Sequence, residues 1–293
     1  MNEYSRFIYD FSLKPTLCNL LQLLAVETWN RIEFSRTRKG LKIFETTITQ
    51  NILYEFLRFK ELFPFIPISM FEAYNEPRNG NDIELVISTS SGYILAPLQA
   101  KIIYNSNKYF SMEHGNQINN LISYANNIGG IPLYLLYNYV PSHIGVKSSR
   151  LCGIDYSKEQ FGCSLINAHF LKEKFAFKRK IKGGNYKWKI PSFSDLHPLF
   201  AVPWFILGCC RNNSLNVEAT KNLLMNTEKI ETKTQLKVRS YAYNELLSDN
   251  KWKPMMLRDL DYIPPDVEEE NISFKPKYRI VINTDESAEF KKL

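Results

Sequence analysis

Two short segments of alternating apolar and polar residues flank a Ser/Gly turn in the stretch GNDIELVISTSSGYILAPLQAKIIY (80–104). A period of two is typical of β-strands, because successive side chains of a strand point to opposite faces of its sheet. Asp82 and Glu84 therefore share one face of the first strand, and Gln99 and Lys101 share one face of the second. Antiparallel pairing predicts a hairpin that brings Asp82, Gln99 and Lys101 together at one end.

Apolar residues at helical spacing predict three helices around this hairpin. The segment LKPTLCNLLQLLAVETWNRIEF (13–34) predicts a helix that starts near Pro15. A second helix has Ile48, Ile52, Phe56 and Phe59 along one face, and Pro64 and Pro67 end it. A third lies within SMEHGNQINNLISYANNIGG (111–130), with Ile118, Leu121, Ile122 and Ala125 on its buried side and Gly129–Gly130 as its stop.

The order of these elements predicts the fold class. The continuous apolar run IPLYLLYNYV (131–140) follows the third helix directly and is typical of a strand that is covered on both faces. Helix, hairpin, helix and strand together indicate an α/β fold with a mixed sheet flanked by helices. A further short strand and helix are predicted in GCSLINAHFLKEKFAF (162–177), and HPLFAVPWFILGCC (197–210) ends the apolar part of the chain.

Composition suggests three regions. We interpret residues 1–40 as an N-terminal helical segment, which the basic break SRTRKG (35–40) closes, and residues 41–210 as the α/β core. From about Arg211 the chain is richer in Asn, Lys, Glu and Thr, so residues 211–293 are interpreted as a mostly helical extension that ends in a strand-like KYRIVIN. This region is expected to form either a separate subdomain or a peripheral layer.

The composition is that of a soluble domain with a mild positive charge. Of the 293 residues, 44% are hydrophobic and 23% charged, which suffices for an ordinary core. The net charge of +7 (37 basic minus 30 acidic residues) favours an anionic partner such as nucleic acid. No apolar run approaches the roughly 18 residues of a membrane span, and the acid-containing N-terminus lacks a signal-peptide core. A cytoplasmic location is therefore predicted.

The cysteines predict neither a metal site nor a disulfide framework. The chain has five, an odd number without CxxC spacing. Cys209 and Cys210 follow the apolar run VPWFILG, so we interpret them as buried core rather than as a redox pair.

Polar residues from four segments converge on the predicted end of the hairpin. Glu45 lies one turn before Ile48 on the buried stripe of the second helix, and Gln117 lies one turn before Leu121 on the third. Carboxylate and amide oxygens are the ligands that Mg²⁺ or Mn²⁺ prefers. Such a metal activates water and neutralises the leaving oxygen, while a lysine stabilises the phosphate or orients the water. This set predicts phosphodiester hydrolysis.

Each of these residues also has a structural alternative. Asp82 is in a position to cap a turn before the strand, and Lys101 to lie on an edge strand with its ammonium in water. Glu84 is as readily a salt-bridge partner as a ligand, and Gln117 could equally hydrogen-bond a helix end.

The order of the motifs resembles the PD-(D/E)XK nuclease superfamily. Gly80-Asn81-Asp82 and Gln99-Ala100-Lys101 look most like its Mrr-like restriction endonuclease branch, in which Q-x-K often replaces D/E-x-K. The run ETTITQNIL, GNDIEL, PLQAKI, NQINNLISYA and GIPLYLLYN is also similar to an uncharacterised bacterial family of that superfamily. The resemblance covers residues 41–138.

The resemblance implies a restriction-endonuclease-like fold and a role for each polar residue. Asp82 would be the central metal ligand, and Gln99 would contribute a side-chain oxygen. Lys101 would be the catalytic lysine, Glu45 the first-helix acid acting directly or through water, and Gln117 a supporting helix residue. No proline precedes Asp82, and Gln99 replaces the commoner acid, which removes one charge from the site.

The expected function is that of a metal-dependent endonuclease that hydrolyses DNA, with a role in bacterial defence against foreign DNA. Double-stranded DNA is the expected partner, and a homodimer or a larger defence complex the expected assembly. The alternative is a catalytically inactive nuclease fold that binds nucleic acid or serves in assembly. No nucleophile elbow, phosphate-binding loop or dinucleotide fingerprint is present, and the histidines share no spacing with acids.

Two basic segments are candidate nucleic-acid contacts. The stretch LKEKFAFKRKIKGGNYKWKI (171–190) interleaves aromatic residues with basic ones, among them Lys178, Arg179 and Lys180. A solvated hairpin with a buried aromatic face explains this stretch equally well. Arg36, Arg38 and Lys39 precede Glu45 and are in a position to add phosphate contacts near the site.

Overall fold

A computed structural model describes most of the chain. The described residues are 13–73, 83–113, 117–146, 149–175, 179–180, 186–187, 190–210, 215–230, 236–247, 252–255 and 274–283. Within them the protein is an α/β fold whose large mixed sheet is flanked by helices, which confirms the predicted fold class.

Eight α-helices and two 3₁₀ turns lie in the described part of the chain. Those described are α1 (Leu17–Thr37), α2 (Glu45–Leu62), α3 (Gln117–Asn127), α4 (Ala168–Phe175), α5 (Phe193–Leu196), α6 (Ile206–Cys209), α7 (Val217–Met225) and α8 (Tyr243–Leu247), with 3₁₀ turns at Phe110–Glu113 and Lys158–Gly162. Thr16 caps α1, since its side chain accepts a 3.2 Å hydrogen bond from the Asn19 backbone N–H. In the described part of the chain no helix combines the length and apolarity needed to cross a bilayer.

The described strands are β1 (Ile68–Ala73), β2 (Ile83–Thr89), β3 (Gly92–Ile102), β4 (Leu133–Tyr137), β5 (Ser149–Leu151), β6 (Ile154–Tyr156), β7 (Cys163–Asn167), β8 (Arg179–Lys180), β9 (Tyr186–Lys187), β10 (Val202–Pro203), β11 (Trp252–Pro254) and β12 (Tyr278–Ile282). Eight of these described strands form the main sheet, in the order β10–β7–β4–β3–β2–β12–β1–β11. The pairs β3–β4 and β2–β12 are parallel, and the other neighbours are antiparallel. β5–β6 and β8–β9 form separate two-stranded pairs.

The predicted hairpin is present as β2 and β3. The two strands pair antiparallel from Ile83 opposite Leu98 to Thr89 opposite Gly92. Leu85 is buried in the larger described hydrophobic cluster, whereas Val86 belongs to a second cluster on the opposite face. The predicted alternation of faces is therefore confirmed for this hairpin.

β3, α3 and β4 form a crossover unit that fixes the direction of α3. β3 and β4 are parallel, and all five residues of β4 are buried, as its continuous apolar sequence predicts. α3 ends before Gly129, which has a φ of 60°, and the Ile131 N–H donates a 2.9 Å hydrogen bond to the Leu95 carbonyl. The C-terminal end of α3 thus lies beside the start of β3, so its N-terminal end lies toward the end of β3 that carries Lys101.

Helices cover both faces of the hairpin. The Thr49 hydroxyl of α2 is 2.9 Å from the Tyr137 hydroxyl of β4, whose register partner on β3 is Ile102. The Tyr124 hydroxyl of α3 donates a 2.9 Å hydrogen bond to Oε1 of Glu84. Because Ile102 and Glu84 point to opposite faces, α2 and α3 lie on opposite sides of the sheet.

The C-terminal region contributes an inner strand to the main sheet. β12, the predicted strand-like segment, pairs in parallel with β2 on one side and antiparallel with β1 on the other. All five of its residues are buried. The sequence predicts a subdomain or a peripheral layer for residues 211–293, not a strand inside the main sheet. The reason is that the sequence of a short strand does not reveal which strands it pairs with.

Four cysteines are paired, contrary to the sequence analysis. Disulfides join Cys18 to Cys209 and Cys152 to Cys210, so α1 and the β5–β6 turn are both tied to the end of α6. The partners are 191 and 58 residues apart, a separation that local spacing rules do not detect. Disulfides persist in oxidising compartments, whereas the cytoplasm, the predicted location, keeps thiols reduced.

Candidate active site

Glu45 and Lys101 meet at the end of the β2–β3 hairpin. Glu45 is the first residue of α2, on one side of the sheet, and Lys101 projects from the opposite face near the end of β3. The Lys101 Nζ is 4.0 Å from Oε2 of Glu45, although the two residues are far apart in sequence. The structure therefore brings together two of the predicted site residues, a carboxylate and an ammonium.

Lys101 is a buried cation on an inner strand. Its residue is only 4% exposed, and β3 has β2 on one side and β4 on the other. The alternative of an edge-strand lysine with its ammonium in water is therefore wrong. A buried ammonium is costly unless an opposite charge compensates it, and Glu45 supplies that charge.

Burial raises the pKa of the Glu45 carboxyl above its ordinary value. Two smaller effects oppose the shift: the positive charge of Lys101 and a hydrogen bond from the Ile102 backbone N–H. The position of Glu45 at the start of α2 also favours a negative charge there. Its side chain remains 22% exposed, so the carboxylate is partly desolvated yet still reachable from solution.

Replacing Glu45 with glutamine should stabilise the protein increasingly as the pH rises. Because the folded-state pKa is raised, the stability that Glu45 contributes is complete below its unfolded-state value and is lost as the pH rises through the folded-state value. Glutamine resembles the neutral acid at every pH. Urea unfolding between about pH 4 and pH 8 should show the variant gaining stability relative to the wild type.

Glu61→Gln is a matched control, since Glu61 is an exposed glutamate near the end of the same helix. A Glu45→Gln variant that is less stable than the wild type near neutral pH would contradict the prediction. That result would mean that attraction to Lys101 outweighs the desolvation of the carboxylate.

A cleft of about 850 Å³ opens beside Glu45. Its walls come from the C-terminal end of α1, the connection to α2, the start of α2, and the residues that follow β3. This volume is within the range of about 300–1,000 Å³ that is typical of ligand sites. The carboxylate of Glu45 is therefore accessible to a ligand from this side.

Gln99 and Asp82 are the two predicted metal ligands on the hairpin, and the structure describes only Gln99. Gln99 lies two residues before Lys101 on β3, on the same face of the strand, and is partly exposed. Asp82 lies outside the described residues, which resume at Ile83. Its role as the central metal ligand remains a prediction.

Glu84 is a salt-bridge residue. The Nε of Arg279 on β12 donates a 2.7 Å hydrogen bond to Oε2 of Glu84, and Tyr124 donates to Oε1. Glu84 is 1% exposed and Arg279 6%. Of the two interpretations that the sequence left open for Glu84, the structure therefore shows the salt bridge.

Gln117 places a buried side-chain oxygen at the start of α3. It is the first residue of α3, whose N-terminal end lies toward Lys101, and it lies seven residues before Tyr124, hence on the same side of the helix. Within the described part of the chain its Oε1 is buried and accepts no hydrogen bond. A buried oxygen of this kind is compatible with a cation or a donor as a partner.

The donor set is compatible with a hard divalent metal but is poor in charge. No three His, Cys, Asp or Glu residues among those described lie close enough together to hold a metal. The predicted set contains one described carboxylate, Glu45, two amide oxygens from Gln99 and Gln117, and Asp82 beyond the described residues. Oxygen donors suit Mg²⁺ or Mn²⁺, and fewer charges weaken the binding.

The predicted nucleic-acid contacts fall into two groups. Arg36 lines the cleft and donates a 3.0 Å hydrogen bond to the Tyr139 carbonyl and another to the Ile103 carbonyl. Burial lowers its pKa to about 10. Arg38 and Lys39 are exposed. Arg36 thus anchors α1 to the strand ends, and contacts of the two exposed residues with phosphate remain a prediction.

The structure describes only part of the second basic segment, residues 171–190. Lys178 lies outside the described residues, while Arg179 and Lys180 form β8, which pairs with Tyr186–Lys187 of β9. An antiparallel strand pair is therefore present in this segment, and its contacts with nucleic acid remain a prediction.

A buried Ser–His pair is a structural feature. The Ser164 hydroxyl is 2.7 Å from Nε2 of His197, and Asn138 donates a 3.0 Å hydrogen bond to the same hydroxyl. All three residues are almost completely buried, and burial lowers the pKa of His197 to about 3. The pair lies in the core, where its hydrogen bonds join β7 to the end of α5.

Sequence reasoning missed the aromatic residues of the cleft and the partner of Glu84. Phe44, Tyr104 and Phe110 line the cleft, and Arg279 lies in the C-terminal region, for which the sequence predicts either a subdomain or a peripheral layer. One signal was available for Phe44: an aromatic residue directly before a helix occupies a position that normally favours Ser, Thr, Asp or Asn.

Residues 17–287 match the model of the protein family DUF6615, described as a family of unknown function. The chain belongs to this family. Comparison of this DUF6615 member with curated proteins and with solved structures found no match. The family description assigns no activity, so the function of this DUF6615 protein has to be argued from its own residues.

Proposed function

We propose that the protein is a metal-dependent endonuclease that hydrolyses DNA phosphodiester bonds. The observation that carries the proposal is the buried Lys101 ammonium beside the Glu45 carboxylate at the end of a β-hairpin, where a cleft opens to solution. A buried ion pair contributes little net stability. The raised pKa of Glu45 indicates that ionising its carboxyl in this pair destabilises the fold. Perturbed pKa values of this kind are common at functional sites.

Lys101 acts on the phosphate. Its ammonium donates a hydrogen bond to a non-bridging oxygen of the scissile phosphate, where negative charge develops during the attack of water. The ammonium keeps a fixed position because its stem is buried in an inner strand. A donor that is already in place requires no reorganisation during the reaction.

The oxygen-bearing residues would hold the metal and orient water. Asp82 and Gln99 are its proposed ligands, Glu45 would bind it directly or through water, and Gln117 would support the site from α3. When bound, Mg²⁺ or Mn²⁺ would activate water and neutralise charge on the leaving oxygen. Glu45 suits a second task, since a carboxylate with a raised pKa is the stronger base and accepts a proton more readily.

The proposal extends to the biological setting. Cleavage of foreign DNA as a bacterial defence fits the resemblance to restriction endonucleases. One site per chain cuts one strand at a time, so double-strand cleavage favours a homodimer or a larger defence complex.

Plasmid nicking tests the proposal. Supercoiled DNA is incubated with Mg²⁺ or Mn²⁺ and with wild type, Asp82→Asn, Glu45→Gln or the control Glu61→Gln. The wild type and the control should nick the plasmid. Asp82→Asn should abolish cleavage, and Glu45→Gln should reduce it about 10- to 100-fold, the usual effect of losing a residue that supports a metal site.

Two results would contradict the proposal. Nicking that neither Asp82→Asn nor Glu45→Gln affects would place the activity at another site or in a contaminant. DNA binding without any cleavage by the wild type would favour the alternative, an inactive nuclease fold, for which the low charge of the donor set is the supporting observation.

A further inference from the structure

Three large aromatic side chains surround the mouth of the cleft and remain exposed. Phe44 is 60% exposed, Tyr104 45% and Phe110 40%. The rings of Tyr104 and Phe110 are in edge-to-face contact, with centroids 5.6 Å apart, so the two residues hold each other in place. Exposed aromatic residues grouped around one concavity are typical of a binding surface.

Phe44 contributes little to the fold at its position. It is the N-cap residue of α2, and its side chain makes no capping hydrogen bond. A polar residue would cap the helix better, and an aromatic residue that packs in a core would be buried. Since Phe44 does not cap the helix and stays mostly exposed among the described residues, its ring is available to a ligand beside Glu45.

The charged residues of the cleft are mostly basic. Among the described residues that line it, three are basic (Arg36, Arg38 and Lys42) and one, Glu45, is acidic. Arg38 and Lys42 are exposed. Aromatic rings next to exposed cations match a polyanion that also presents flat, apolar faces, and nucleic acid has both properties.

We infer that this cleft binds unpaired nucleotides, so the substrate of the proposed nuclease is a single-stranded or locally opened stretch of DNA. The inference rests on the proposed function, and it replaces the predicted double-stranded partner. Bases in a duplex are stacked on their neighbours and present only their edges, whereas unpaired bases expose the faces that aromatic side chains stack on. Bases would stack on Phe44 and on the Tyr104–Phe110 pair, with phosphates at Arg38 and Lys42.

Fluorescence anisotropy tests the inference separately from catalysis. A labelled single strand of about 12 nucleotides, a length within the range of known single-strand sites, is compared with a blunt duplex of the same sequence. The protein is kept in EDTA so that cleavage does not interfere. The single strand should bind more tightly than the duplex.

Matched variants assign the binding to the cleft. Tyr104→Ala and Phe44→Asn should each weaken single-strand binding by about 5- to 150-fold, the range that the loss of one stacked base covers. Phe44→Asn supplies a favoured N-cap, so its melting temperature should not fall. Tyr54→Ala removes an aromatic that is 62% exposed on α2 away from the cleft and should leave binding unchanged.

The outcomes separate the inference from the proposed function. Equal binding of both DNA forms, or variants without effect, would overturn the inference even if plasmid nicking succeeds. Single-strand binding that the cleft variants weaken supports the inference even if nicking fails, and then only the nuclease proposal is lost. Light scattering measures the oligomeric state of the Phe44→Asn variant. If that state changes while the DNA affinity does not, Phe44 serves self-association and the inference is overturned.

Discussion

Replacing Lys101 with methionine should reduce DNA cleavage by about 10²–10³-fold, the usual effect of removing one preorganised hydrogen-bond donor. Methionine keeps the length and volume of the buried stem, so the variant should fold. Losing the ammonium also removes an interaction that lowers the pKa of Glu45, so that carboxylate becomes harder to ionise. Single-turnover nicking rates with Mg²⁺ measure the loss, and circular dichroism confirms the fold.

Lys237→Met is the matched control for this substitution. Lys237 is exposed and does not line the cleft, so its replacement should leave the nicking rate unchanged. Lys101→Arg should fail to restore activity, because a planar guanidinium does not replace a compact ammonium in a buried position. A folded Lys101→Met variant with wild-type nicking would remove Lys101 from the proposed mechanism.

Replacing Arg279 with methionine should destabilise the fold by about 3–5 kcal/mol, because it leaves the carboxylate of Glu84 buried and unpaired. The guanidinium also stacks over Trp252 at 4.3 Å and donates a 2.9 Å hydrogen bond to the Leu246 carbonyl. It therefore joins β12 to β2, β11 and α8. The free energy of unfolding in urea measures the loss.

The double variant Glu84→Gln with Arg279→Met should recover part of this loss, since it removes both charges. Arg58→Met is the control: Arg58 forms an exposed pair with Glu55, which is worth less than about 1 kcal/mol. A loss below about 1 kcal/mol for Arg279→Met, or no recovery in the double variant, would mean that the two charges are not coupled. If Glu84 is purely structural, the folded double variant still nicks DNA.

The fold class followed from local patterns because most of the decisive signals lie within short segments. The period of two in the sequence predicted the β2–β3 hairpin, and the continuous apolar run at Leu133–Tyr137 predicted a strand buried on both faces. Helical spacing placed Glu45 at the start of α2, facing the sheet. These features depend on neighbours within a few residues.

Features that depend on distant pairing were not predictable from the sequence. Tyr278–Ile282 lies between β1 and β2, Cys18 reaches Cys209, and Arg279 reaches Glu84. In each case one partner gives no local sign of the other. The candidate site was predictable in part: the spacing of Gln99 and Lys101 put both on one face, but only the three-dimensional fold shows the aromatic mouth of the cleft.

The place of β12 has a consequence for synthesis of the protein on the ribosome. Its neighbours β1 and β2 are translated long before it, and each has an open hydrogen-bonding edge until Tyr278–Ile282 leaves the exit tunnel. Open edges of apolar strands recruit other chains and promote aggregation. Completion of the sheet is therefore a late event, and a nascent chain that stalls before this strand becomes a natural client for chaperones.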